Sequence, residues 1–183
     1  MATDISMCSN ALLLIGHGTI SSFTEGGAGA LVASNLYQSS YENLLSLHRW
    51  RFASGKVTLS RLTATPINDF SYAYQLPADY MIANRVIPQS DYEIFGDKIY
   101  SDQQSLALDY IFKPAETALP AYFVKLMEMY LAAQFAVPVT DNSAKGQLYA
   151  QFYEAQMRQA KFADATSRPP DAVADNPLWA ARA

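Results

Sequence analysis

The chain has 183 residues, half of them hydrophobic and 16% charged, with 13 Lys and Arg against 17 Asp and Glu for a net charge of −4. That length carries one domain with room for an insert or tail, and that apolar content is enough for a packed core. The acid excess argues against a protein that grips nucleic acid, which needs a basic patch to displace counterions, and no run of five like charges supplies one. Cys8 is the single cysteine, so it reads as a buried inert thiol, and the lack of disulfides fits synthesis in the cytosol. The opening MATDISMCSN has neither a basic nor an apolar run, so no leader is expected. No apolar stretch approaches the ~20 residues needed to cross a bilayer, so a soluble protein with no membrane partner is expected.

Thr3 or Asp4 can cap a first helix over residues 4–15. Ile5, Met7, Cys8, Ala11, Leu12 and Ile15 form its buried arc, Ser6, Ser9 and Asn10 face away, and Gly16 ends it in a left-handed cap. A short extended link, Ile20 to Phe23, leads to Gly26-Gly27-Ala28-Gly29. Residues 28–53 then keep a helical period, with Ala30, Ala33, Tyr37, Tyr41, Leu44 and Leu45 on one half of the cylinder and Gln38, Glu42 and Asn43 on the other. As one helix closed by Ser54-Gly55 this would be a rod of roughly 37 Å, the expected spine of a bundle.

After Gly55 the period changes to two. Val57, Leu59 and Arg61 alternate with Thr58, Ser60 and Leu62, and Thr65-Pro66-Ile67-Asn68-Asp69 has turn chemistry. Tyr72–Leu76, Tyr80–Ile87, Asp91–Phe95, Lys98–Tyr100 and Leu106–Phe112 are further strand candidates, with Gly96-Asp97 at a hairpin position. Residues 56–113 therefore read as a small antiparallel sheet or partial barrel inserted between helices.

Pro120 opens a third helix, 120–136, that is apolar nearly all round and belongs in the centre of a bundle or against a second subunit; Val137-Pro138-Val139 is expected to break it. Thr140, Asp141 or Ser143 caps a last helix over 143–165. One of its apolar strips is Leu148, Phe152, Ala155 and Phe162; the other is Tyr149, Tyr153, Met157 and Ala160. Two strips mean either an intersubunit contact or one wide buried face. From Thr166 the composition shifts, and three prolines in 18 residues favour an extended arm over 166–183. Leu178 and Trp179 in that arm suit a pocket on the same domain or on a partner. The fold class predicted is α+β: a bundle of about four helices with an inserted antiparallel β element, residues 1–165 as one domain, and an extended C-terminal arm.

Catalytic signatures are missing. His17 and His48 lack metal-ligand spacing, and His48, within the long apolar arc, reads as a hydrogen-bonded core histidine. HExxH, GxSxG and Walker loops are absent, and the glycine run before the second helix lacks the Lys-Ser/Thr of a phosphate cradle. The carboxylates Asp79, Asp91, Glu93, Asp97, Asp102 and Asp109 are spread over strands and turns; a paired-carboxylate glycosidase site among them is the enzyme alternative, a small hydrolase acting on cell-wall or capsule polysaccharide. No cofactor and no metal are expected.

Several phrases in order resemble the tail tubular protein A family of phage head-to-tail adaptors: CSNALLLIG (Cys8 to Gly16), the ISSF link, YENLLSLHRWRFA (Tyr41 to Ala53), YQLPADY (Tyr74 to Tyr80) and LAAQFAVPVT (Leu131 to Thr140). Trp50-Arg51-Phe52 and Leu76-Pro77-Ala78-Asp79 stand where that family has Trp-x-Phe and Leu-Pro-x-Asp, while His17-Gly18-Thr19 replaces its commoner proline-containing turn. The resemblance implies a non-enzymatic structural virion protein of the neck or tail, made in the host cytoplasm. It also implies assembly into a ring, twelve-fold in the family, beneath the portal protein. Such a ring would carry the genomic DNA channel without binding DNA specifically and receive the tail nozzle. Under that reading the expected partner surface comprises Tyr149, Tyr153, Met157, Pro169, Pro170, Leu178 and Trp179.

Overall fold

The computed structural model describes residues 2–167, apart from Thr65 and Asn68. Pro169, Pro170, Leu178 and Trp179, and the expected arm beyond Ser167, lie outside the described residues. The helices are α1 (Asp4–Leu14), α2 (Ala28–Ser46), α3 (Ala121–Thr140) and α4 (Ser143–Thr166). Between α2 and α3 run β1 (Ser54–Thr58), β2 (Tyr72–Gln75), β3 (Tyr80–Ile87), β4 (Glu93–Phe95), β5 (Lys98–Ser101) and β6 (Ala107–Phe112). This is the expected α+β order.

Local chemistry explains α1. Thr3 Oγ1 accepts from the Ser6 N–H at 3.1 Å while Ser6 Oγ accepts from the Thr3 N–H at 2.9 Å, so two orphan donors satisfy each other's residues. At the far end Gly16 adopts φ +82°, and the Gly16 and His17 N–H groups donate to the Leu13 and Leu12 carbonyls, a Schellman closure. Ser9 is a correction. It is buried, because its hydroxyl donates to the Ile20 carbonyl at 2.7 Å and accepts from the Ile20 N–H at 3.1 Å, fixing the link to α1.

The second helix is shorter than the apolar period suggests: α2 ends at Ser46, not at residue 53. Trp50 is fully buried and turns back so that its indole N–H donates to the Leu44 carbonyl at 2.8 Å, one of the acceptors a helix end leaves open. A single 3-10 turn, Arg51–Ala53, then passes directly into β1, so Ser54-Gly55 belongs to a strand and not to a helix cap.

The third helix is longer than expected. It runs through Pro138 to Thr140 and is closed by Asp141 at φ +50°. Proline in the last turn removes only one bond of the ladder, and the Asp141 N–H still reaches the Val137 carbonyl at 2.9 Å. The cap of α4 is Asn142, whose Oδ1 accepts from the Lys145 N–H at 3.0 Å. α3 packs against α1, α2 and α4, and buries Phe123, Leu126, Met127, Leu131, Ala132, Phe135 and Ala136. The hub of the bundle is thus α3, while α2 is one of its flanking helices.

The insert forms two three-stranded antiparallel sheets, ordered β1-β6-β3 and β2-β5-β4. They do not form a closed barrel. Leu59, Tyr74, Leu76, Val86, Ile99, Leu106, Leu108 and Tyr110 make a second core between them, while Ile111 on the opposite face of β6 joins the helical core. Alternation along β6 therefore serves both cores. No described helix is long and apolar enough to cross a membrane.

Candidate functional site

α4 settles which of its two apolar strips faces inward. Tyr149, Tyr153 and Met157 are half-buried against the helical core, Ala160 is fully buried, and the Tyr149 hydroxyl donates to the Leu14 carbonyl. Tyr153 packs on Tyr130 with ring centroids 5.0 Å apart. The other strip is the open one: Leu148, Phe152 and Phe162 are 45%, 48% and 72% exposed. These three span about 21 Å of helix at 1.5 Å per residue. Of the residues expected at a partner surface, Tyr149, Tyr153 and Met157 thus serve the subunit's own core, and the other strip of α4 is the exposed one.

A second feature lies where α2, β1 and the last turns of α4 meet. His48, Arg49, Arg51, Ser54, Lys161, Asp164 and Ala165 line a cleft of about 510 Å³. Its floor is Asp164, 2% exposed. The Arg51 N–H donates to both of its oxygens at 3.1 and 3.2 Å, and the Tyr122 hydroxyl donates to Oδ1 at 2.8 Å. This carboxylate ties α4 to the turn before β1 and to α3. The hydrogen bond and negative charge of Asp164, together with burial, hold the Tyr122 phenol well above its ordinary value, burial being the larger effect.

His48 corrects the sequence expectation. It sits on the turn after α2, a third exposed, edge-on to Trp50 at 4.8 Å between ring centroids. Burial lowers its pKa, and Lys161 adds to that, against the opposing pull of Asp164. The ring is therefore neutral at pH 7, and its 3.8 Å separation from Asp164 is not an ion pair under those conditions.

Beside the cleft, Asp109 at the centre of β6 is fully buried. Arg49 Nη2 donates to its Oδ2 at 2.5 Å, Arg85 Nε lies 3.4 Å from the same oxygen, and Asn84 Nδ2 donates to Oδ1 at 3.2 Å. Lys56 and Arg85 are its cross-strand neighbours on β1 and β3. Burial would raise the Asp109 carboxyl, but the hydrogen bonds from Asn84 and Arg49 and the charges of Arg49 and Lys56 outweigh it, leaving the group below its ordinary range. The run His48-Arg49-Trp50-Arg51 held the signal for this cluster, with two cations flanking an aromatic that must be buried. Reading it as continuous helix hid that signal.

Of the other insert carboxylates, Asp91 and Glu93 are exposed and Asp79, Asp97 and Asp102 are separately engaged. Asp79 accepts from the Tyr110 hydroxyl at 3.1 Å, Asp97 from Gln75 at 3.0 Å, and Asp102 from the Ser71 hydroxyl and N–H at 2.8 Å. Those hydrogen bonds lower the pKa of Asp97 and Asp102, the opposite direction from that of a glycosidase general acid. Cys8 is buried, and burial pushes its thiol up to about 12, which makes it a poor nucleophile. Among the described residues no group of three His, Cys, Asp or Glu side chains is placed to hold a metal ion. A scan of protein-family models gives no match for the chain, and a search of curated proteins gives none either.

Proposed function

We propose that the protein is a non-enzymatic ring-forming adaptor of a phage neck, joining the portal to the tail and surrounding the channel through which DNA passes. The observation that carries this reading is the open strip Leu148, Phe152 and Phe162 on α4. Three large apolar side chains on one helix face, beyond what the subunit's own core uses, are the mark of a surface meant for another chain. Ring closure from identical subunits needs a heterologous contact, in which one face of a subunit meets a different face of the next. The order of helix, link, helix and strand insert supports this reading, although α2 ends at Ser46 and not at the Trp50-Arg51-Phe52 phrase that closes the long helix in the family the chain resembles. The net charge of −4 suits a channel wall that lets DNA slide without retaining it.

Light scattering on the purified chain, alone and mixed with the portal protein of the same phage, tests the reading. The expected result is a monomer recruited into a ring when the portal is added. Phe152→Ser with Phe162→Ser should abolish recruitment while leaving the melting temperature within about 2 °C, since exposed substitutions change stability by about 0.5 kcal/mol or less. A wild-type chain that stays monomeric with portal present would overturn the proposal.

A further inference from the structure

Charge is distributed very unevenly over this acidic chain. Arg49, Arg51 and Lys161 line the cleft, and Arg85 and Lys56 flank it around Asp109. Five of the 13 basic residues thus gather at one junction around two buried carboxylates, Asp109 and Asp164. Those two acids are already occupied by the hydrogen bonds described above. Among the described residues the side chains of Arg51 and Lys161 have no carboxylate within ion-pairing distance. Five cations stand against the two carboxylates, and the junction carries an excess of positive charge.

The far sheet of the insert has the opposite character. β4 is its edge strand, and Asp91, Glu93 and Asp97, on β4 and the turns beside it, are all exposed. The β4–β5 hairpin is narrow: it turns at Gly96, which adopts φ +61°, and Phe95 next to it is 59% exposed. This edge strand, with Asp91 just before it, Glu93 at its start and Phe95 at its end, is complementary in charge to a cleft of about 510 Å³ rimmed by cations, while at the turn itself Asp97 stands beside Lys98. One subunit carries both halves of the pair, which is what a heterologous contact requires.

We infer that the cationic cleft of one subunit receives the acidic β4–β5 hairpin of a second copy of the chain. The inference rests on the ring reading and names a contact for it. Close opposite charges across such an interface fix register and speed encounter, and like charges placed there are strongly disfavoured.

The experiment uses the full chain and two one-sided reversals, Arg51→Glu with Lys161→Glu, and Asp91→Lys with Glu93→Lys. Self-association is read by light scattering and cross-linking, with and without portal, at low and high salt. Each reversal alone should weaken assembly about tenfold or more, equivalent to about 1.4 kcal/mol. An equimolar mixture of the two should restore assembly, because each altered surface then finds its complement. Arg51 contributes its backbone N–H to Asp164, a bond the substitution leaves in place; should that variant nevertheless misfold by circular dichroism, the Asp91/Glu93 reversal decides the question alone. Assembly of both reversals at wild-type strength would overturn this inference while leaving the ring reading intact. A wild-type chain that never assembles, even with portal, overturns both. Retention of labelled duplex DNA that is lost in the Arg51/Lys161 reversal, with assembly unchanged, would assign the cleft to phosphate and also overturn the inference.

Discussion

Two buried carboxylates fix the junction on which the rest of the molecule depends. Asp109 draws Arg49, Arg85 and Asn84 to the middle of the first sheet, and Asp164 draws Arg51 and Tyr122 to the end of α4. Asp109→Asn keeps the shape but loses the charge-assisted bonds, so it is expected to cost about 2 kcal/mol at pH 7. Because the folded-state pKa of Asp109 lies below its ordinary 3.8, its contribution is fully present above that pH. It is lost as pH falls through the lower folded value. Thermal melts across pH should show wild type and variant well separated at neutral pH and converging in acid. A constant separation down to the lowest pH would contradict this role for the ionised group. Neither aspartate was legible as a structural anchor, since carboxylates on a strand or a polar helix face look solvated until a partner chain segment arrives.

At the scale of elements, periodicity found every helix and five of the six strands, but it set the first strand at residues 57–62 where β1 is Ser54–Thr58, and it misjudged the ends of α2 and α3. The apolar period of α2 continues past Ser46, yet Trp50 must be buried, and folding it back against Leu44 ends the helix early. In α3, by contrast, the sequence predicts a break at Pro138, whereas packing against α4 holds the last turn helical. That packing is close: a Cβ added at Gly146 would sit 3.2 Å from Val137 Cγ2. Proline in the body of a helix costs about 3 kcal/mol, and less in the final turn. Pro138→Ala is therefore expected to stabilise the chain by about 1 kcal/mol, measured by urea unfolding. A destabilised variant would mean that the proline itself fixes the α3–α4 corner.

For the whole molecule, two cores share one sheet: β6 gives Ile111 to the helical core and Leu108 and Tyr110 to the intersheet core. Three prolines in the last 18 residues favour an extended arm, so deleting residues 166–183 is expected to leave the melting temperature nearly unchanged while removing assembly. A large loss of thermal stability in the truncated monomer would show instead that this segment packs on its own domain. The sequence by itself determined the α+β order, the capped α1 and five of the six strands, because these follow from local period and capping chemistry. Only the tertiary structure decided which strip of α4 faces inward, where α2 stops, and that one cleft gathers cations from α2's exit and α4's end. Those outcomes depend on contacts between segments far apart in the chain, and no local pattern encodes which of two similar apolar faces will meet the core.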